Sequence, residues 1–254
     1  MYSDLNNKKV LVTGSSFGIG LEIAKNFSDA GSVVALNGRD SNKLKKAAKD
    51  IYNSKIVLGN VEDPKIAKKI ATKAVSLLNG LDILVCNVGS GKSVKPGFEK
   101  HQDWHTSFKK NFFSTTNIIE ASKKHLIKSK GNIICISSIC GIEYIKGAPI
   151  TYSVAKSALN FYVKVNSRIL GQKGVRINAI APGNILFKGS DWEKKLNKNR
   201  KVITRSINSN VALKKFGNPK SIADICLFLA SEKSHFVTGS VWIADGGQVK
   251  QLNV

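Results

Sequence analysis

The chain has 254 residues and a hydrophobic content of 42%, which suits one large α/β domain with a sizeable core. It carries 40 lysine and arginine residues against 17 aspartate and glutamate residues, a formal net charge of +23. A field of one sign attracts anions such as phosphorylated cofactors, acidic carrier proteins and nucleic acids. The lysines are spread over predicted helix surfaces and are not grouped with aromatic residues, so we expect no nucleic-acid site.

The start of the chain and the cysteines indicate a compartment. Residues 1–7 are polar, and no apolar run approaches the about 18 residues that a membrane-spanning helix needs. We therefore expect a cytoplasmic protein with no membrane partner. Cys86, Cys135, Cys140 and Cys226 lie among apolar neighbours, with no second cysteine or histidine at metal-ligand spacing. We predict four buried, reduced thiols and no metal site.

A glycine-rich turn follows the first predicted strand. Strand Lys8–Thr13 runs into Gly14-Ser15-Ser16-Phe17-Gly18-Ile19-Gly20, and helix periodicity follows over Leu21–Ala30. Glycines let the backbone approach a pyrophosphate, and the helix N-terminus offers N–H groups that have no partner within the helix. Because the turn has this strand and helix around it, we favour a dinucleotide site over an ordinary glycine turn.

The end of the second predicted strand bears on the choice of cofactor. Strand Ser32–Asn37 is followed by Gly38-Arg39-Asp40. In dinucleotide folds an acid at this point binds the ribose 2′-hydroxyl, whereas an arginine accommodates a 2′-phosphate. Arg39 follows the strand closely, and Asp40 is placed to cap a helix over Asn42–Tyr52. This pattern favours NADP(H) over NAD(H); the alternative is that Arg39 is one more surface cation.

Strands and helices then alternate to the end of the chain. Further strands are predicted at Lys55–Leu58, Leu81–Cys86, Asn132–Ser137, Val175–Ile180 and within 237–247. Helices are predicted at 63–78 with Asp63 as the N-cap, at 104–130 with an irregularity near Lys110-Asn111, at 151–170 and at 219–231. This alternation predicts one α/β domain over 1–254, with a seven-stranded, mostly parallel sheet and helices on both faces. The polar, lysine-rich stretch at about 184–210 interrupts the pattern, and we predict that it forms a substrate lid.

Tyr152 and Lys156 are four residues apart in a predicted helix, so they lie on one face of it. A positive charge beside a phenol lowers the pKa of the phenol and makes it usable as a general acid or base. An isolated pair of this kind is more often a core tyrosine and a surface lysine. The other motifs must therefore decide between the two interpretations.

In their order these motifs resemble the short-chain dehydrogenase/reductase family, from Lys8 to about Gly247. Besides the glycine-rich turn, Asn87-Val88-Gly89 resembles the family's Asn-Ala-Gly, and Pro182-Gly183 and Asp245-Gly246-Gly247 match later signatures. The resemblance, which extends to 3-oxoacyl-carrier-protein reductases, implies a Rossmann-type doubly wound fold. It also implies an NAD(P)-dependent oxidoreductase that interconverts a carbonyl and a secondary alcohol by hydride transfer.

The resemblance implies roles for individual residues. Tyr152 would be the general acid or base, Lys156 would lower its pKa and hold the nicotinamide ribose, and Ser138 would bind the substrate oxygen. Asn111 would support a water chain; the alternative is a structural helix asparagine. Ser137 remains a second candidate for the serine role, because the spacing from Ser138 to Tyr152 is one residue longer than is common. The implied cofactor contacts are Gly14, Ser16, Phe17, Gly18, Ile19, Gly20, Arg39, Asn60, Val61, Asn87, Gly89, Tyr152, Lys156, Pro182, Gly183 and Ile185.

Two positions differ from the family pattern, and several properties stay open. Asn60 stands where an aspartate often contacts the adenine, and Phe187 replaces a threonine that touches the nicotinamide. The positive field suits an anionic substrate, either a small molecule or one linked to a carrier, and the resemblance implies a homotetramer. The alternatives are a dinucleotide-binding regulator without catalysis and a nucleic-acid binder driven by charge. The regulator would normally lack Tyr152 or Lys156, and neither is missing.

Overall fold

The structure is a computed structural model that describes residues 2–250, so residues 1 and 251–254 of the predicted domain lie outside the described part. The strands are β1 (Lys9–Val12), β2 (Val33–Gly38), β3 (Lys55–Leu58), β4 (Ile83–Cys86), β5 (Asn132–Ile136), β6 (Arg176–Pro182) and β7 (Val241–Ala244). They form one sheet in the order β3-β2-β1-β4-β5-β6-β7. The predicted mostly parallel sheet is confirmed, and every neighbouring pair in it is parallel.

Helices connect the strands, and two of the predicted caps are present. The helices are α1 (Gly18–Asp29), α2 (Ser41–Lys49), α3 (Pro64–Leu78), α4 (His101–Phe108), α5 (Ser114–Ser129), α6 (Ile150–Gly171), α7 (Asp191–Lys198), α8 (Arg200–Asn210) and α9 (Pro219–Ala230). The Asp40 carboxylate accepts hydrogen bonds from two backbone N–H groups of the first turn of α2. Asp63 caps α3 in the same way. Each cap fixes the residue at which the helix begins after the preceding strand.

The sheet has a separate hydrophobic core on each face. On one face Leu84 of β4 packs in a cluster with Ile118 and Leu159, from α5 and α6. On the other face Val85 packs in a cluster with Ile23 and Ile222, from α1 and α9. Successive residues of a strand point to opposite faces, so an uninterrupted apolar strand serves both cores. This is the Rossmann-type doubly wound arrangement that the sequence predicts.

The carboxyl ends of β1 and β4 are joined by Asn87, which follows β4. Its side-chain amide nitrogen donates hydrogen bonds to the carbonyl oxygens of Thr13, at 3.2 Å, and Gly14, at 3.1 Å. Its backbone N–H donates to the Thr13 hydroxyl at 3.0 Å. A Cβ at Gly20 would overlap this amide nitrogen and lie 2.5 Å from the Gly14 carbonyl oxygen. Gly20 is therefore required for packing beneath the turn.

The predicted irregularity near Lys110-Asn111 is a π-helical turn over Lys109–Phe113, between α4 and α5. A π-helical turn contains one residue more than the α-helix around it, and such turns are frequent at functional sites. Asn111, inside the turn, is the residue for which the sequence predicts a catalytic role. The predicted position of the irregularity is confirmed.

The stretch at 184–210 contains two short helices, α7 and α8, which the sequence analysis does not predict. Ile185 forms an isolated parallel bridge with Gly217, so the start of the stretch pairs with the segment just before α9. The Ser190 hydroxyl caps α7 by accepting from the Glu193 N–H at 3.0 Å. Within residues 2–250 no helix is both long and apolar enough to span a bilayer.

We expect Gly20→Ala to lower the free energy of unfolding by about 1–3 kcal/mol, because an added methyl group would be forced against Asn87. Gly171→Ala is the matched control, since a Cβ there would meet nothing within 4 Å. That variant should be neutral or slightly stabilising, as alanine has the higher helix propensity. Urea unfolding midpoints measure both effects, and equal midpoints for the two variants would contradict the packing argument.

Candidate active site

A cavity of about 1190 Å3 lies at the carboxyl ends of the strands. In the sheet β1 lies between β2 and β4. The chain adds β2 and β3 on one side of β1 and β4 to β7 on the other, so the direction in which strands are added reverses between β1 and β4. Ligands of open α/β sheets bind at such a switch point. The cavity is lined by the glycine-rich turn, the ends of β4, β5 and β6, the start of α6 and the 184–210 stretch. It brings most of the predicted site residues together.

The glycine-rich turn has the backbone that a phosphate cradle needs. Gly14 has a φ of 63° and Gly18 a φ of 61°, a left-handed conformation that glycine adopts without strain. Ser16, Phe17, Gly18 and Ile19 line the cavity, and α1 begins at Gly18 with its N-terminus at the turn. These residues fit the pyrophosphate of a dinucleotide. Gly20, which is also predicted as a cofactor contact, is not among the lining residues and instead packs under Asn87.

The far end of the cavity contains the residues predicted to bind the adenosine half of the cofactor. Arg39 lines it with a side chain that is 64% exposed, and its guanidinium lies 3.7 Å from the Glu62 carboxylate. The Asn60 side-chain oxygen accepts the Glu62 N–H at 3.1 Å, so it also shapes the turn. Lys43 lines this end as well and is missed by the sequence analysis. Its place just inside the helix capped by Asp40 is the signal that could have found it.

The remaining predicted cofactor contacts line the middle of the cavity. They are Val61, Asn87, Gly89, Pro182, Gly183 and Ile185. Val61 and Ile185 are buried. These residues therefore contribute shape and backbone to the cavity wall. The glycine-rich turn contributes N–H groups, and Arg39 contributes a positive charge.

Lys156 is a buried cation. Its side chain is 3% exposed, and its Nζ donates a hydrogen bond to the Ile136 carbonyl oxygen at 2.7 Å, at the end of β5. Burial lowers the pKa of Lys156 to about 8. The Nζ lies 6.0 Å from the centre of the Tyr152 ring. The structure thus excludes the interpretation of Lys156 as a surface lysine.

Tyr152 lines the cavity and is half-buried. Burial raises its pKa above the ordinary value, and the neighbouring Ser138 hydroxyl opposes that shift. The expectation that Lys156 lowers the pKa of Tyr152 is therefore wrong for this structure. The physical reason is that burial disfavours the charged phenolate and is the largest effect on this group.

The two candidate serines have different environments. The Ser137 hydroxyl donates to the Asn160 side-chain oxygen at 2.5 Å, which ties it to α6. The Ser138 hydroxyl oxygen accepts the Cys140 N–H at 3.2 Å, which leaves its proton available. The Ser138 hydroxyl also opposes the rise in the pKa of Tyr152. Ser138 is therefore favoured over Ser137 for binding the substrate oxygen.

Asn111 is 1% exposed and holds the loop after β4. Its side-chain oxygen accepts the Ser90 N–H at 2.8 Å, and its amide nitrogen donates to the Ser90 carbonyl oxygen at 3.1 Å. The same nitrogen donates to the Ser107 carbonyl oxygen at 3.0 Å. Asn111 is not among the residues that line the cavity, so its catalytic role stays a prediction while its positioning of Ser90 is direct.

Phe187 packs on the glycine-rich turn. Its ring centre lies 5.3 Å from that of Phe17, at an interplanar angle of 65°. A Cβ at Gly18 would lie 2.6 Å from the Phe187 ring, so the two are in close contact. The residue that differs from the family pattern therefore connects the 184–210 stretch to the turn by aromatic packing.

One of the four cysteines differs from the prediction. Cys86, Cys135 and Cys226 are buried and free, as predicted. Cys140 is also free, but it is half-buried and lines the cavity, so the prediction of four buried thiols is wrong for this residue. It follows Ser138 in the short turn after β5, where the chain crosses the mouth of the cavity. Its apolar sequence neighbours do not reveal that exposure.

The substrate end of the cavity contains residues that the sequence analysis does not name individually, although two of them lie in the predicted lid at 184–210. They include Tyr144, Trp192, Lys195, Gln248 and Lys250. The Asp245 carboxylate accepts the N–H groups of Gly247, at 2.8 Å, and Val249, at 2.6 Å. These bonds hold the last described residues against the cavity. No local sequence pattern marks them, because they come from three separate parts of the chain.

The sequence of the chain matches known proteins over nearly its whole length. A family profile described as enoyl-(acyl carrier protein) reductase matches residues 14–248. The 3-oxoacyl-[acyl-carrier-protein] reductase FabG of Aquifex aeolicus (strain VF5) is 32% identical over 249 residues, which cover 96% of this chain and 98% of that protein. The chain belongs to the short-chain dehydrogenase/reductase family. It is accordingly an NAD(P)-dependent oxidoreductase.

Solved structures of short-chain dehydrogenase/reductases have the same fold. The L-sorbose reductase from Gluconobacter frateurii, complexed with NADPH and L-sorbose, has a TM-score of 0.93 and 27% identity, with 99% of this chain and 100% of that chain covered. A 7α-hydroxysteroid dehydrogenase, complexed with NADH and 7-oxo glycochenodeoxycholic acid, has a TM-score of 0.89 and 28% identity, with 98% and 97% covered. The two complexes contain different nicotinamide cofactors and different carbonyl substrates.

Proposed function

We propose that this short-chain dehydrogenase/reductase interconverts a carbonyl and a secondary alcohol with NADP(H), with Tyr152 as the general acid or base. One observation carries the proposal. Tyr152, Ser138 and the buried Lys156 line the same cavity as the glycine-rich turn. The cavity therefore joins a place for the cofactor to a proton donor and an oxygen-binding hydroxyl.

The residues of the chain have distinct tasks in the proposed reaction. A bound nicotinamide supplies or accepts the hydride. Because its pKa is raised, the Tyr152 phenol is protonated at neutral pH and donates its proton to the carbonyl oxygen in the direction of reduction. The Ser138 hydroxyl donates a hydrogen bond to the same oxygen, and the Lys156 ammonium would hold the nicotinamide ribose hydroxyls of a bound cofactor. In oxidation the same groups act in reverse.

In this proposal the first role of Asn111 is to position the loop after β4. Its amide fixes Ser90, and Gly91 of the same loop lies against the Tyr152 ring, since a Cβ at Gly91 would be 3.9 Å from it. The π-helical turn thus supports the wall opposite the phenol. The water chain implied by the family resemblance stays a prediction.

Tyr152→Phe should lower kcat by at least ~10²-fold, the usual contribution of a positioned acid or base, while cofactor binding is retained. Tyr162→Phe is the matched control, because Tyr162 lies on the same helix but packs against Phe112, with ring centres 5.8 Å apart. Steady-state kinetics and calorimetric cofactor titrations give the two quantities. Near-normal turnover of the Tyr152 variant would refute the assignment.

The preference for NADP(H) rests on charge at the far end of the cavity. Arg39 and Lys43 line it together with one carboxylate, Glu62. A 2′-phosphate would compete with Glu62 for the Arg39 guanidinium and gain the second cation at Lys43. We therefore propose NADP(H), as in the L-sorbose reductase complex, although the steroid dehydrogenase complex contains NADH.

Arg39→Asp should reverse the ratio of kcat/KM for NADPH over NADH, because it replaces a phosphate-binding cation by a carboxylate. A hydrogen bond to a charged group contributes about 1.5–3 kcal/mol, so the loss with NADPH should be ~10-fold or more. Lys45→Asp makes the same charge change at an exposed position on α2 outside the cavity. A ratio that is unchanged in the Arg39 variant, or equally changed in both, would exclude Arg39 from the 2′-phosphate site.

We propose an anionic substrate, either a small molecule or a carrier-linked acyl group. Among the described residues that line the cavity, eight are lysine or arginine and three are aspartate or glutamate. Such a field raises the local concentration of anions. The Aquifex relative is named for a 3-oxoacyl group on an acyl carrier protein.

A location in the cytoplasm stays a prediction from the sequence.

We also propose a homo-oligomer, a tetramer by family resemblance, assembled through the outward face of α6. Large exposed apolar side chains follow the helical period there, and Phe113 of the π-helical turn is also exposed. The α6 residues are Val154, Phe161, Val165 and Ile169. Apolar stripes of this kind on a long helix mark protein–protein interfaces.

Phe161→Glu should dissociate the oligomer into smaller species, because it places a charge in the centre of the apolar stripe. Tyr52→Glu, at an exposed site just after α2, is the control and should leave the mass unchanged. Sedimentation equilibrium measures both. An unchanged mass for the Phe161 variant would place the interface elsewhere, and a monomeric parent protein would refute the oligomer.

A further inference from the structure

The helix α7 presents an aromatic ring and a cation to the substrate end of the cavity. Trp192 packs against Phe216, with ring centres 5.5 Å apart. The Lys195 Nζ lies 4.3 Å from the centre of the Trp192 ring, a cation–π contact. This contact restrains a long side chain that would otherwise lose rotamer freedom on binding a ligand. Both residues line the cavity.

Lys195 differs from the adjacent lysine in its counter-charge. The Asp191 carboxylate lies 3.7 Å from the Lys194 Nζ and 3.9 Å from the Lys92 Nζ, so those two cations share one acid. None of the ion pairs among residues 2–250 includes Lys195. Lys92 also lines the cavity but is paired with Asp191, whereas the charge of Lys195 is available to an anion in the cavity.

Lys195 lies across the cavity from the proposed oxygen-binding turn. Its charge is close enough to Cys140 to lower the pKa of that thiol against the opposite and larger effect of burial. The Cys140 N–H donates to the Ser138 hydroxyl oxygen, so Cys140 and Ser138 belong to one turn. Lys195 and Ser138 line the same cavity, so one bound molecule can contact both of them.

We propose that Lys195 binds an oxyanion, a carboxylate or a phosphate, that the substrate carries a few bonds from its reacting carbonyl. This inference rests on the proposed function and makes Lys195 a specificity-determining residue of the same site. It also separates two substrate classes. A 3-oxoacyl thioester has no charge beside its carbonyl, whereas a short keto acid or keto phosphate does.

The test uses methyl ketones of increasing chain length that end in a carboxylate, their methyl esters, and the matching ketones that end in a phosphate. With NADPH, the parent enzyme should show a lower KM for the best acid or phosphate than for the matching ester. The better of the two anionic series identifies the oxyanion, and its optimal length reports the distance from Lys195 to the carbonyl.

Lys195→Ala should raise the KM for that anion by ~10-fold or more, the loss of one charge-assisted hydrogen bond, and leave kcat and the KM for the ester within a few-fold. Lys195→Arg should restore part of the affinity. Lys194→Ala is the matched control, since it removes the neighbouring charge, which is already paired with Asp191. Added salt should raise the KM of the anion and not that of the ester.

The possible failures are distinguishable. Equal KM values for anion and ester in the parent enzyme, or an unchanged KM for the anion in Lys195→Ala, would overturn the inference while ester reduction supports the proposed function. Equal losses on anion and ester would also overturn it, because they would indicate a general disturbance of α7. If NADPH reduces none of the ketones or esters, the proposed function itself fails.

Discussion

The site depends on the hydrogen bonds that Asn87 makes across the switch point of the sheet. A parallel sheet aligns the ends of its strands, but it does not by itself hold the loop after one strand against the loop after another. Asn87 does this by bonding to the Thr13 and Gly14 carbonyl oxygens, which have no strand partner there. The bonds are possible because Gly20 has no side chain. The shape of the phosphate cradle is thus fixed from the neighbouring strand.

The burial of Lys156 has a cost in stability. An ammonium buried with one carbonyl partner destabilises the folded state, because the protein replaces only part of its hydration. The depressed pKa of Lys156 expresses that penalty. A lysine buried in this way indicates a role in the chemistry of the site, because an apolar side chain at the same place would pack better. Local conflicts with stability are expected where a fold performs chemistry.

The parts that the sequence predicts well have local signals. The glycine-rich turn and the Asp40 and Asp63 caps each follow from a few neighbouring residues. The pKa of Tyr152 is different, because it depends on burial and on the Ser138 hydroxyl, which belongs to another part of the chain. The cavity walls formed by Cys140 and Lys195 also result from tertiary packing. Periodicity does not reveal them, because their neighbours in space are not their neighbours in sequence.

The π-helical turn at Lys109–Phe113 restricts how the length of this chain can change. Removing one residue there would let α4 and α5 join as a regular α-helix, and the wide turn that places Asn111 opposite Ser90 would be lost. Asn111 would then face away from Ser90, and the loop after β4 would lose both of its bonds to the helix. A deletion is therefore excluded from the turn itself. An extra residue that looks like an imperfection in the helix is the element that places the Asn111 amide.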